Sequence, residues 1–83
     1  MKITIRYFAS IREVMGQASE SLDTPAATLG QLRDALMARP GAAGEALAPG
    51  RAVRMALNQV MSDESAALLE GCEVAFFPPV TGG

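Results

Sequence analysis

Residues 28–41 read Thr-Leu-Gly-Gln-Leu-Arg-Asp-Ala-Leu-Met-Ala-Arg-Pro-Gly, and this stretch decides the fold class. Thr28 followed three residues later by Gln31 is a capping box, in which a hydroxyl and a carboxamide satisfy N–H groups that a helix start leaves free. Leu29, Leu32 and Leu36 then recur at helical spacing until Arg39-Pro40-Gly41 ends the segment. The pattern predicts one main helix with a single apolar face, and that face has to be covered by another element.

The cover lies on both sides of it. Residues 2–8, Lys-Ile-Thr-Ile-Arg-Tyr-Phe, alternate so that Ile3, Ile5 and Tyr7 share one face of a strand and Thr4, Arg6 and Phe8 the other. Ser10 to Glu13 offers a second capping box, and Val14-Met15-Gly16 supplies a glycine stop, which predicts one or two helical turns. Residues 17–23 read as a strand centred on Leu22. Beyond the main helix, Gly41 to Gly50 is a loop with a helical turn around Glu45 to Leu47. Ala52 to Asn58 alternates with Val53, Met55 and Leu57 inward, and after a turn at Asn58-Gln59 a short strand begins at Val60-Met61. Glu73 to Phe77 is a last strand ended by Pro78-Pro79. Strands flanking one main helix make an α+β roll with a mixed sheet.

A chain of 83 residues is one domain. With 49% apolar and 19% charged residues it can build a core, which excludes intrinsic disorder. The sequence has no His, no Trp and a single Cys, Cys72. That composition argues against a bound metal, iron–sulfur ligation, His-based catalysis and an intramolecular disulfide. Its net charge of −2, with seven scattered Lys and Arg, makes nucleic acid a poor partner. The apolar runs fall far short of the roughly 18 residues that span a bilayer, and Met1-Lys2-Ile3-Thr4 opens no signal peptide. The expectation is a cytoplasmic protein that binds no membrane, with Cys72 an unpaired structural thiol in a reducing compartment.

The segment richest in chemical information follows the last strand: Pro78-Pro79-Val80-Thr81-Gly82-Gly83. Two prolines favour an extended conformation at ~3.1 Å per residue, so residues 78–83 would project roughly 18 Å from a domain formed by residues 1–77. Gly82 and Gly83 leave no side chain near the α-carboxylate, so a narrow tunnel can accept the backbone and a reagent can reach the carbonyl. A frayed end would also tolerate glycines. The Pro-Pro spacer is what turns the pair into a handle for chemistry.

Three blocks together resemble a known family. Tyr7-Phe8-Ala9-Ser10-Ile11-Arg12-Glu13, Leu57-Asn58-Gln59, and Gly71-Cys72-Glu73-Val74-Ala75-Phe76-Phe77-Pro78-Pro79-Val80-Thr81-Gly82-Gly83 are similar to the small, sulfur-carrying subunit of molybdopterin synthase, in the same order and across nearly the whole chain. One departure is Cys72, where the family commonly has Asp. The resemblance implies a ubiquitin-like β-grasp fold and a non-catalytic, sulfur-donating subunit. It implies that an ATP-dependent partner enzyme adenylates Gly83 and converts it to a thiocarboxylate. The sulfur then passes to cyclic pyranopterin monophosphate inside the large synthase subunit, most simply in a heterotetramer. This chain would bind no cofactor itself. Arg12 and Glu13 form a solvated helix face that could also meet a partner, and Asp63 with Glu64 reads as a turn.

Strand parity adds a docking surface. With Ile3, Ile5, Tyr7, Val74 and Phe76 inward, Phe8 and Phe77 fall on the opposite face beside Thr4, Arg6 and Ala75, and Met61 joins them from the next strand. An aromatic and Met cluster beside a projecting tail is the composition of an interaction patch. Phe8, Met61, Phe77, Pro78, Pro79, Val80 and Thr81 are therefore candidate partner-binding residues, with Gly82 and Gly83 at the reacting end. Two other readings stay open at this point: the sulfur carrier of the thiamine pathway, and a ubiquitin-like modifier that attaches its glycine to protein lysines.

Overall fold

The computed structural model describes residues 1–41, 43–48 and 52–79. Its elements are β1 (Lys2–Tyr7), α1 (Ala9–Met15), β2 (Ser19–Asp23), α2 (Leu29–Met37), α3 (Ala43–Ala46), β3 (Arg54–Leu57), β4 (Val60–Ser62) and β5 (Glu73–Phe77). Among the described residues, five strands form one sheet in the order β2-β1-β5-β3-β4. β1 and β5 run parallel at its centre, and the remaining neighbours pair antiparallel. This is the mixed α+β roll that the alternation and the one main helix predict.

The parallel register puts Ile5 opposite Val74 and Tyr7 opposite Phe76, so the inward residues of the two central strands stack as rows. Ile3, Ile5, Tyr7, Val74 and Phe76 are all at most 1% exposed. The rings of Tyr7 and Phe76 lie nearly parallel, with centroids 6.2 Å apart. Leu29, Leu32 and Leu36 of α2 close over this face, joined by Ile11, Leu47 and Leu68. Each such side chain contributes roughly 1.5–3 kcal/mol by leaving water. Truncating a leucine here to Ala costs more, about 2–5 kcal/mol, because a cavity remains.

The helix start is as the capping box requires, displaced by one residue. Thr28 Oγ1 accepts from the Gln31 N–H at 3.2 Å, while Gln31 Oε1 accepts from the N–H of Ala27 at 2.8 Å. α2 ends at Met37 with Ala38 as its cap, slightly ahead of the Arg39-Pro40-Gly41 stop. Its buried Arg33 donates to the carbonyls of Leu47 and Ala48 and so ties the helix to the segment after α3.

The second capping box does not form. Ser10 lies inside α1, whose N-cap is Phe8 with no side-chain cap bond. The reason is that Phe8 is still held by the sheet, donating its N–H to the Phe76 carbonyl at 3.1 Å. Ala9 then turns the chain through a left-handed conformation, φ 51°. The Phe8 carbonyl at once accepts from Ile11 and Arg12, which starts the helix two residues early. Its end is as expected: Gly16 adopts φ 77° and donates to the Arg12 carbonyl.

Candidate functional site

The outer face of the sheet, away from α2, carries the candidate patch. In neighbouring strands, residues in register point to the same side. Arg6 lies opposite Ala75, Ala75 opposite Ala56, and Ala56 opposite Met61. One row across the face therefore runs from a cation through two alanines to a methionine. One step along β5, Phe77 lies opposite Arg54. Phe8, just past the end of β1, is 42% exposed, and Met61 is 59% exposed. Phe77, Pro78 and Pro79 are half-buried.

Small residues between large ones leave a groove. An open cavity of about 700 Å³ is lined by Phe8 and Ala9 on the β1 side, by Ala75 and Phe77 of β5, and by Pro78 and Pro79. Arg6, Gln59 and Glu73 complete it. Because β5 runs from Glu73 to Phe77, the groove follows the strand towards the prolines and the segment beyond them. Its own ions are loosely paired: Arg6 Nη1 is 3.8 Å from Glu73 Oε2, and the Arg6 guanidinium carbon sits 5.8 Å from the Phe8 ring centroid, within cation–π range.

Phe8, Phe77, Pro78 and Pro79 are thus brought together in one groove. Met61 shares the face but lines a different depression, with Arg33, Arg54 and Glu64. Val80, Thr81, Gly82 and Gly83 lie outside the described residues. Arg6 and Ala75 were legible from parity alone. Gln59 and Ala9 were not, because residues outside the strands carry no strand parity.

The groups with clearly shifted protonation sit elsewhere. Glu20, inward on β2, accepts from Tyr7 Oη at 2.7 Å and from both terminal nitrogens of Arg39 at 3.0 and 3.1 Å. The Arg39 hydrogen bonds hold the Glu20 carboxyl below its ordinary range, and the bond to Glu20 in turn raises Arg39. Burial, then the Glu20 bond, pushes the Tyr7 phenol well up. The exposed Asp63 carboxyl is lowered by hydrogen bonds from the Ser65 hydroxyl and N–H. None of these groups lines the groove. Cys72 is buried at 3% exposure and free. No helix among the described residues is long and apolar enough to cross a membrane.

Comparison with known proteins agrees with this fold. The ThiS family model matches residues 5–83. The molybdopterin synthase sulfur carrier subunits of Haemophilus influenzae and Escherichia coli are 35% and 36% identical, each alignment covering 98% of this chain and 99% of the relative. Among solved structures, small archaeal modifier protein 1 of Haloferax volcanii superposes with a TM-score of 0.75 at 26% identity, covering 95% of this chain and 98% of the other. The complex of subunits 1 and 2 of the molybdopterin-converting factor from Helicobacter pylori contains a chain that matches over the full length of both, with a TM-score of 0.69 at 26% identity. The chain therefore belongs to the ThiS family of ubiquitin-like β-grasp proteins and, within it, is similar over its whole length to the sulfur carrier subunits of molybdopterin synthase.

Proposed function

We propose that this chain is the sulfur-carrying subunit of a molybdopterin synthase, with Gly83 as its reacting terminus. The observation that carries the reading is the full-length match to two molybdopterin synthase sulfur carrier subunits. The Pro78-Pro79-Val80-Thr81-Gly82-Gly83 segment supports it, because side-chain-free glycines suit a carboxylate that must be reached inside another protein.

The chemistry runs in balanced steps. A carboxylate is a poor acyl donor, so an activating enzyme first joins the Gly83 carboxylate to the α-phosphorus of ATP and releases pyrophosphate. A sulfur donor then attacks the acyl carbon of the adenylate and AMP leaves, which gives the thiocarboxylate. A thioacid is more acidic than a thiol, so its sulfur is ionised and nucleophilic near neutral pH, for the reason that makes thiolates the reactive form of cysteine. In the large subunit the sulfur bonds to cyclic pyranopterin monophosphate, and water releases the carrier as its carboxylate. Acid and base groups come from the large subunit, since this chain has no His.

Docking uses the groove along β5. Its Phe8 and Phe77 would seat the large subunit while residues 78–83 extend into it, as a complex between two such subunits in the Helicobacter pylori protein makes reasonable. Intact mass after incubation with the activating enzyme, ATP and a sulfur donor tests the reading. One oxygen-to-sulfur exchange at Gly83, followed by molybdopterin formation with the large subunit, is expected. Isopeptide conjugates to lysines in place of a thiocarboxylate would refute it.

A further inference from the structure

Backbone strain in this chain gathers around one groove. The described non-glycine residues with positive φ are Ala9 at 51°, Asn58 at 49° and Gln59 at 69°. Ala9 and Gln59 both line the groove along β5, and Asn58 adjoins it. Left-handed conformations of this kind persist where something outside local preference holds them, and they cluster at functional sites.

The hairpin sets the positive φ of both residues, and it suits Asn58 better than Gln59. Asn58 and Gln59 are the central residues of the hairpin between Leu57 and Val60, which face each other in register. A two-residue hairpin with both φ positive favours Asn followed by Gly. Asn58 tolerates the conformation and is tied down: Oδ1 accepts from the Glu73 N–H at 2.9 Å, and its own N–H donates to the Glu73 carbonyl at 2.8 Å. Gln59 carries a Cβ where glycine is preferred. Its side chain is exposed and makes no hydrogen bond or ion pair among the described residues. It stands at the Glu73 end of the groove, the end opposite Pro78 and Pro79.

We propose that Gln59 is a partner-reading residue: its carboxamide pairs with a backbone peptide group of the large-subunit segment that lies along the outer face of β5. A carboxamide presents a donor and an acceptor side by side, which matches the C=O and N–H of a peptide. A neutral group also suits a position beside the Glu73 carboxylate, where an acidic side chain would meet repulsion. Bound at this end, the partner is held in register with Phe8 and Phe77, and the glycine tail then enters at a fixed distance. The inference rests on the docking proposed above.

The test measures melting temperature and affinity for the large subunit, by calorimetry, for the full chain and for Gln59→Gly and Gln59→Ala. Both variants lose the carboxamide, so both should bind about tenfold more weakly. Only glycine relieves the backbone, so Gln59→Gly should melt about 4 °C or more above Gln59→Ala. Wild-type affinity in Gln59→Gly, or a glycine variant that melts below the alanine one, overturns the inference alone. A wild-type chain that does not bind the large subunit overturns the docking reading and this inference with it.

Discussion

Removing the exposed side chains of the outer face is the most direct probe of docking. Full burial of a Phe or Met side chain contributes ~1.5–3 kcal/mol. Folding has left 42% of Phe8 and 59% of Met61 in water. Only that remainder can be gained when a partner covers them, which is roughly 0.6–1.3 kcal/mol for Phe8 and 0.9–1.8 kcal/mol for Met61. The double variant Phe8→Ala/Met61→Ala should therefore lose roughly 1.5–3 kcal/mol of binding, about a ten- to 150-fold rise in Kd. The covered part of Phe8 lies within the fold, so a fall in melting temperature of about 4–8 °C is expected as well. Titration calorimetry against the large subunit, well below the melting temperature, measures the folded fraction alone. Phe77 is half-buried, so Phe77→Ala should divide its loss between fold and interface. A double variant whose Kd stays within a factor of about two of wild type would refute the assignment of this face, since the expected effect is far larger.

Deleting Gly83, or replacing Gly82 with Val, should abolish molybdopterin formation with little change in melting temperature, because a shortened chain withdraws the reacting atom by about 3 Å and a new Cβ crowds the tunnel; normal product from the truncated chain would sink the sulfur-carrier mechanism. Glu20 is held below its ordinary range in the fold, so its contribution is fully present above the unfolded value near 4.3 and is lost as pH falls through the folded one. Glu20→Gln should cost about 1–3 kcal/mol at pH 7, and the gap from wild type should shrink as acid protonates the native carboxyl; a gap that is the same at every acidic pH argues against the clamp. Ala75→Leu should fill the groove and weaken large-subunit binding at least about tenfold while the protein melts no lower, since strands favour larger side chains than Ala; unchanged affinity would move the docking site elsewhere.

The parts of the fold legible in the sequence are those with a period. The leucines of α2 and the alternation of β1 and β5 place the core directly, and the capping box at Thr28 marks the helix start. β2 gives a poor signal because one of its inward positions is Glu20, whose partners Tyr7 and Arg39 come from distant segments. The start of α1 is misread because Ser10 and Glu13 match a local pattern, while the hydrogen bond from Phe8 to Phe76 that overrides it joins residues 68 positions apart. Ala56 is 7% exposed although strand parity places it on the outer face. In the candidate site, parity finds Phe8, Phe77 and Met61. It cannot find Gln59, because the strain that singles it out is a property of φ and leaves no mark on composition.

If the outer face docks the large subunit as proposed, its centre also trades local stability for binding. Ala56 and Ala75 face each other there across β3 and β5. Alanine is depleted in strands, and a β-branched residue would add up to about 1 kcal/mol. Keeping Ala75 small leaves the groove open beside Phe8 and Phe77. Interface hot spots have this form, an apolar pocket closed by well-packed neighbours that exclude water. On the proposed reading, the large subunit supplies the missing side chain beside Phe8 and Phe77. The core residues of β1, β5 and β3 point the other way, so the docking face can give up this packing without opening a cavity among Ile5, Tyr7, Val74 and Phe76.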